Sequence, residues 1–561
     1  MASAGLGETA RRTERSGFLT QPLFWLLLVL SALAGLLALP LVVPIGPMYW
    51  DTYLYLDAAH RIASGQLPSV DFSMPVGPLG YYLFAWGLEL FPAAQPLLLA
   101  QWALLVVAAP LMAVVLWEVS LRDRALSLLL LVPFLVFAIA PSNAQFYHPL
   151  PSLDGFGIYN RHVVVLLYVL LSGLLFLRDG RKLAVFCAGV MLALFLTKIT
   201  GFLVGGLFGV MAVLAGRLKW TNVLLAAVIF VLPLLVLELL TGMVSAYLRD
   251  ISTLAGDNSS TLLPRFRTVI TNKLDVLLPA ALLALVLLVL DRRDGLGRIL
   301  DSSFVWFSVA ILGGIIFETQ NSGSQEFIFI WPVLALILVR TKNLKGYART
   351  AILVLGAFAI VPTVATIVSK SVRAAAAGVT YAQVDAPLLK NIGQVSARWD
   401  MMERAELIET HYADFRPAYE DLARQDQLPN WQYFADIDNQ MQWVMSAESA
   451  VESLLAFEAE NTIRLESLMT LDFTDPFPWI LDRQPVPHLQ IGADPSRTLG
   501  ALTPDAKAAI EATDGVLRAK CPVTWARRDI EATFAEALTD RTVVALNPCW
   551  DLLLRKGILP S

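Results

Sequence analysis

Apolar residues in this chain come in long runs, not in alternation. Mostly apolar stretches lie near 22–44, 94–119, 124–140, 162–177, 183–197, 200–216, 220–241, 276–290, 301–317, 327–340 and 348–368. A helix that crosses a bilayer needs about 17–25 such residues, so the pattern predicts a polytopic α-helical membrane protein with about 11 transmembrane helices. The pattern changes after residue 370. Stretches such as ESAVESLLAFEAENTIRLESLM (448–469) and TPDAKAAIEATDGVLRAK (503–520) carry a helical period, and short apolar or β-branched runs, LMTLDF, HLQIG and TVVAL, alternate with them. The expected division is a transmembrane domain over 1–369 and a soluble α/β or α+β domain over 370–561. Roughly 190 residues are enough for that second part to bury a core of its own.

Composition sharpens this picture. The 561 residues are 56% hydrophobic and 16% charged, with a mean hydropathy of +0.61. A soluble globular protein averages about 25% charged, so a soluble enzyme is excluded, and disorder is excluded by the same balance. The net charge of -5 hides an asymmetry: residues 1–369 carry 24 Lys and Arg against 19 Asp and Glu, and the remainder 18 against 28. Nothing here is basic enough for nucleic acid.

With the N-terminus inside, the inner segments of an eleven-span arrangement receive 17 of those 24 basic residues, from Arg11 to Arg349. That is the bias expected of short cytoplasmic loops. It places the body of the chain in contact with membrane lipids, with a cytoplasmic N-terminus and an extracytoplasmic C-terminal domain. The long connections (45–93, 141–161 and 242–275) then all fall on the outer face, the expected working face. Cys187 lies in an apolar run and reads as a core residue. Cys521 and Cys549 fall in the part assigned to an oxidising space, where pairing and free thiols are both open. No C-x-x-C or Cys/His metal spacing occurs.

The first outer loop holds the densest chemistry. Asp51 follows the first span directly, and TYLYLDAAHRIASG behind it has the period of a short interfacial helix ended by Gly65. Asp57 and His60, three apart, share a face of that helix. A second segment, LGYYLFAWGLELF (79–91), is too short to span and rich in interface-preferring aromatics. From the local pattern alone, Asp51 is either a helix N-cap or a functional carboxylate.

The succession W-D-x-Y-L-x-L-x-A-x-x-R-I-x-x-G (50–65), then D-F-x-x-P-x-G-x-L-G-Y-Y (71–82), resembles the GT-C superfamily of membrane glycosyltransferases. The similarity is best over residues 45–216. It is nearest to the polyprenyl-phosphate-sugar-dependent enzymes, which include protein mannosyltransferases and the lipid A aminoarabinose transferase. The resemblance implies that Asp51 lies in an active site, as general base on the acceptor or as ligand to a divalent cation (Mg or Mn). It implies a polyprenyl-phosphate-linked sugar donor, a glycan, lipid or protein acceptor of the cell envelope, and a place in the bacterial inner (cytoplasmic) membrane with the C-terminal domain in the periplasm. The chain departs from the pattern at Asp51-Thr52, where Asp-Glu is common, and at Met74-Pro75, where a basic residue usually precedes the proline.

Such a reaction needs a carboxylate to take the acceptor's proton and positive charge on the departing phosphate. Candidates for the charge are Lys198, Arg161 and His162 at outer ends of spans. The alternatives are a snorkelling lysine and interfacial anchors. Asp154 in PSLDGFG is a candidate second catalytic carboxylate, or a turn-forming Asp-Gly pair. Tyr53, Asp57, His60, Asn160, Glu318, Gln320 and Asn321 are candidate substrate-binding residues, the last three in a polar turn that is otherwise a solvated loop. The Pro- and aromatic-rich stretch 473–492 reads as a binding loop or as packed core. From a different class, a non-catalytic transporter or assembly component for lipid-linked glycans would use the same scaffold. It would be expected to show inverted repeats, and no clear internal repeat is legible.

The charge count generates a direct test. An alkaline phosphatase reporter fused after Ser561 is expected to be active, because that enzyme works only outside the cytoplasm. Activity solely of a cytoplasmic reporter at this position would refute the eleven-span orientation.

Overall fold

The fold is that of a computed structural model, which describes residues 21–145, 148–258, 262–293, 296–320, 327–428 and 436–559. Each apolar run contains a helix, though the first leaves the helix at Leu37 and the second is divided in two. The chain begins with α1 (Pro22–Leu37), whose outer end continues into the short strand β1 (Val43–Pro44). The first outer loop folds into α2 (Asp51–Ala63) and α3 (Leu79–Leu90), as the period predicts, and Gly65 ends α2 with φ at 88°. Then come α4 (Pro96–Ala103), α5 (Leu105–Ser120), α6 (Arg124–Ile139), α7 (Ile158–Phe176), α8 (Arg181–Thr197), α9 (Ile199–Leu214) and α10 (Trp220–Thr241). The third outer loop forms the amphipathic helices α11 (Met243–Asn258) and α12 (Leu262–Asn272). The membrane part closes with α13 (Leu274–Arg293), α14 (Ser303–Gln320), α15 (Trp331–Arg340) and α16 (Tyr347–Thr380).

Six helical stretches among the described residues are long and apolar enough to cross a membrane: Pro96–Ser120, Ile158–Phe176, Trp220–Thr241, Leu274–Asp291, Ser303–Gln320 and Tyr347–Thr380. The protein is a multi-pass membrane protein. Burial sorts these helices. Every residue of α7 except Tyr159 is buried, so α7 is the centre of the bundle. In α10 no residue is buried, which is how an all-apolar helix stands when lipid covers it.

The expected boundary at 369/370 falls inside α16, which continues through RAAAAG to Thr380. Alanine is the best helix former, so the helix outlasts its membrane-compatible composition. At 1.5 Å per residue its 34 residues reach roughly 50 Å, against a hydrocarbon core of about 30 Å. The overhang carries Lys370 to the second outer loop. Its ammonium donates to the Asp154 carboxylate and to the carbonyls of Asn143, at 3.2 Å, and Gln145, at 3.0 Å.

Beyond α16, β2 (Ala382–Gln383) and β3 (Val395–Ala397) form a three-stranded sheet with β1, in the order β1-β3-β2. It ties the outer end of the first helix to the start of the C-terminal part. The helices α17 (Trp399–Asp414), α18 (Arg416–Arg424) and α19 (Ile437–Asn461) follow. Next come β4 (Ser467–Thr470), α20 (Phe477–Leu481), β5 (Gln484–Pro485), α21 (Pro504–Ala512), β6 (Gly515–Ala519), α22 (Trp525–Leu538), β7 (Arg541–Asn547) and β8 (Trp550–Arg555). A mixed sheet of order β5-β4-β6-β8-β7 results, parallel at β5-β4-β6 and antiparallel at β6-β8-β7. Ile510, Val516, Ile530 and Phe534 form its core with α21 and α22.

Two segments expected to be helical throughout are not. The stretch 448–469 leaves the helix at Asn461, with Thr462 in the left-handed region, and then becomes β4. In 503–520 only the first half is α21, and GVLRA is strand β6, buried between β4 and β8. Tertiary pairing overrides the local period there. Cys521 and Cys549 are joined as a disulfide, and Cys187 is free and buried.

The Lys370–Asp154 pair has 10% and 2% side-chain exposure. Breaking a buried pair by removing one partner costs about 3–5 kcal/mol. Lys370→Met is therefore expected to lower thermal stability by an amount in that range, measured by unfolding in detergent. An unchanged midpoint would show that the ammonium contributes nothing there.

Candidate functional site

Asp51 is the first residue of α2, but its carboxylate does not cap that helix. The capping position is Trp50, with no side-chain cap bond. Instead Asp51 Oδ2 accepts the N–H of Gly157, at 3.1 Å, from the loop ahead of α7. That loop must come close. A Cβ on Gly155 would meet the Tyr49 Cα at 2.4 Å and the Met48 carbonyl at 2.7 Å, so only glycine allows the approach.

The loop is held by Arg161, which is fully buried. Its guanidinium donates to Gln101 Oε1 (2.7 Å), Asn143 Oδ1 (3.1 Å) and the Phe156 carbonyl (2.8 Å). Asp154 meanwhile accepts from the Asn143 N–H, at 2.7 Å, and from Lys370. His162 is buried one residue on, with Nε2 at 3.3 Å from the Gln101 carbonyl. None of the three lines the cavity next to Asp51. Arg161 and Asp154 build its wall from behind.

Asp51 opens into a cavity of about 310 Å³ at the end of the bundle on which the C-terminal part docks. Lys198 stands across it, in extended conformation between α8 and α9. Its ammonium donates to Asn160 Oδ1 (2.9 Å) and lies over the rings of Tyr159 (5.0 Å) and Phe317 (5.9 Å). Two further cations line the same cavity, Arg265 from α12 and Arg497 from the C-terminal part. Arg265 donates to the Gln320 carbonyl at 3.2 Å. Met74 and Pro75 are also in the lining, so the position that resemblance would make basic holds a thioether. The positive charge comes from two arginines distant in sequence.

Arg497 arrives through a zipper between the first outer loop and the stretch 483–491. His60 Nε2 donates to the Arg483 carbonyl (2.7 Å), Arg61 to that of Val486 (2.5 Å) and Gln66 to that of Pro485 (2.8 Å). Ser73 exchanges backbone bonds with Leu489 and Ile491, at 3.1 Å each. The loop 492–498 that follows carries Asp494, Arg497 and Thr498 into the cavity. Asp57 serves the same docking, paired with Arg61 at 2.7 Å, both buried. Tyr53 stacks on Trp443 with ring centroids 4.5 Å apart. Three candidates for substrate binding, Tyr53, Asp57 and His60, thus face the C-terminal part and not the cavity. Asn160 supports Lys198, Gln320 lines the cavity, and Glu318 is buried within electrostatic reach of Lys198. Asn321 lies outside the described residues.

Burial pushes the Asp51 carboxyl up to about 7, and the Gly157 N–H and the charges of Arg161 and Arg497 pull against that rise. A divalent cation on Asp51 does not fit this donor set. Three side-chain cations share its cavity, and among the described residues no three His, Cys, Asp or Glu converge to hold a metal. The basic side chains facing the cavity are Lys198, Arg265 and Arg497, and burial pulls the Lys198 ammonium down to about 7.

No family model and no curated protein matches the chain. Among solved structures it is similar to the crystal structure of ArnT from Cupriavidus metallidurans in the apo state, at 13% identity over 95% of this chain and 97% of that one, with a TM-score of 0.41. The same protein bound to undecaprenyl phosphate is similar at 12% identity over 96% and 99%, with a TM-score of 0.42. No residue role is carried over at these values.

Arg265 and Arg497 are the site residues that sequence reasoning missed. Arg265 left a faint signal, as a basic residue of the amphipathic stretch 262–272 in an outer loop. Arg497 left none.

Proposed function

We propose that this chain is a glycosyltransferase of the bacterial inner membrane, moving a sugar from a polyprenyl-phosphate donor to a hydroxyl of a glycan, lipid or protein acceptor on the outer face. One observation carries the reading. A buried carboxylate, Asp51, shares a cavity at the outer end of an apolar bundle with Lys198, Arg265 and Arg497. In this reading the N-terminus is cytoplasmic and the C-terminal part, with its disulfide, is extracytoplasmic.

The acceptor oxygen attacks the anomeric carbon while the bond from that carbon to the phosphate oxygen breaks. Asp51 takes the acceptor's proton, and the bonding pair leaves with the polyprenyl phosphate. Lys198, Arg265 and Arg497 stabilise the charge that grows on that phosphate. Guanidinium groups suit the task because they bind two phosphate oxygens at once. A carboxyl titrating near 7 suits a general base, since the best catalytic pKa lies near the working pH. The isoprenoid tail finds an apolar cavity of about 330 Å³ among α7, α8, α9 and α10, with Phe202, one turn past Lys198, in its wall.

Two measurements test the reading. Asp51→Asn keeps size and can still accept the Gly157 N–H. It is expected to fold normally and to lose roughly 10²–10⁴-fold in transfer, read as polyprenyl phosphate released in proteoliposomes. Near-normal release by the purified variant would remove Asp51 from the chemistry.

The second is the pH profile. Only the deprotonated carboxylate accepts a proton, and burial brings the Lys198 ammonium down to about 7 as well, so the rate should climb as Asp51 deprotonates and fall as Lys198 loses its proton, with a maximum near pH 7. Arg497 lowers the Asp51 pKa, so Arg497→Gln should move the inflection upward as well as weaken donor binding. An inflection that stays in place in that variant would separate Arg497 from Asp51.

A further inference from the structure

Beside the Asp51 cavity lies a second, smaller cleft between α2 and the C-terminal part, of about 70 Å³. It shares Trp50, Phe473 and Asp494 with the cavity but includes neither Asp51 nor any of Lys198, Arg265 and Arg497. One water occupies about 10–15 Å³ on this measure and about 30 Å³ of liquid. The cleft therefore holds about five waters, the bulk of a single sugar ring.

Its lining is mixed in a telling way. Trp50, Trp443 and Phe473 supply aromatic surface, while the ion pair of Asp472 and Arg527, at 2.6 Å, supplies fixed polar edges. Gln442 adds the decisive detail. It is 2% exposed, it lines the cleft, and its Nε2 has no hydrogen-bond partner among the described residues. A buried donor without a partner costs about 1–3 kcal/mol, so an acceptor oxygen supplied by a ligand would recover what the folded chain leaves unsatisfied. Aromatic faces with planar amide, carboxylate and guanidinium edges match a saccharide, whose C–H faces are apolar and whose rim is hydroxyl.

We propose that this cleft is the acceptor subsite and that it binds a sugar ring of a glycan acceptor. The proposal rests on the glycosyltransferase reading and deepens it. The sugar being transferred is bonded directly to the donor phosphate, so it must sit beside the three cations and Asp51. A ring in the cleft is separated from them by Trp50 and Phe473, so it is a further ring of the glycan acceptor, next to the one whose hydroxyl reacts at Asp51.

The test is saturation-transfer NMR on the full chain in nanodiscs, with glucose, galactose, mannose and N-acetylglucosamine as probes. At least one is expected to bind the wild-type protein, and undecaprenyl phosphate should not displace it. Gln442→Leu should weaken that binding about tenfold, the value of one net hydrogen bond, while the unfolding midpoint stays level or rises because an unpaired polar group has been removed. Equal binding by Gln442→Leu overturns the assignment. So does displacement by undecaprenyl phosphate, which would put the ring in the phosphate cavity, and so does binding of a serine- or threonine-containing peptide with no saccharide bound. The readout needs no turnover. Saccharide binding by a wild-type protein that releases no polyprenyl phosphate would defeat the function and leave the cleft, whereas release without any saccharide binding would defeat only the cleft.

Discussion

A guanidinium buried at the top of a helical bundle organises the outer face of this protein. Charge in such a place is tolerated only when it is bonded on every side. Arg161 meets that demand by gathering Gln101, Asn143 and the Phe156 carbonyl around itself. The irregular loop between α6 and α7 is shaped by those bonds. Its Asp154 then has one place to go, the ammonium of Lys370 on the overhang of α16, and its Gly157 N–H points at Asp51. The bonds of this loop hold the Asp51 carboxylate at a fixed place.

The second constraint is the zipper that joins the first outer loop to the C-terminal part. The buried Asp57–Arg61 pair lies at its centre, and Arg61 continues to the Val486 carbonyl. A further buried pair, Arg483 with Glu458 at 2.8 Å, anchors the opposite strand of the zipper on α19. Without this docking, loop 492–498 would not reach the cavity, and Arg497 would not stand near Asp51. The C-terminal part therefore completes the cavity as well as covering it. It also builds the neighbouring cleft, so both substrates in the proposed reaction depend on the same interface.

Electrostatics then follows from placement. Burial raises the Asp51 carboxyl, and the Gly157 N–H, with the charges of Arg161 and Arg497, limits the rise to about 7, where both forms are populated. The cations in turn lie at the rim of an apolar body, where an anionic headgroup on an isoprenoid tail would come to rest. Met74 shows that such a charge field need not come from one position. Here it is assembled from α12 and from the loop after β5.

Much of the architecture was legible in the sequence. The apolar runs became helices because backbone groups in lipid have no partners except one another. The helix after Asp51 and its end at Gly65 followed from local period and local φ preference, and Lys198 stood out as a charge between two apolar runs. The strand GVLRA was not legible, because its neighbours in the sheet, not its own period, make it a strand. The end of the last membrane helix was not legible, because alanines keep α16 going to Thr380 after its membrane composition stops. The roles of Arg161, Asp154, Tyr53, Asp57 and His60 were equally hidden. Sequence announces a polar residue near a membrane surface, but whether it faces a cavity or bonds a distant carbonyl depends on partners hundreds of residues away. Arg497 is the clearest case. It lies 446 positions from Asp51 in sequence, and only the docking of the two outer segments brings its charge to that carboxylate.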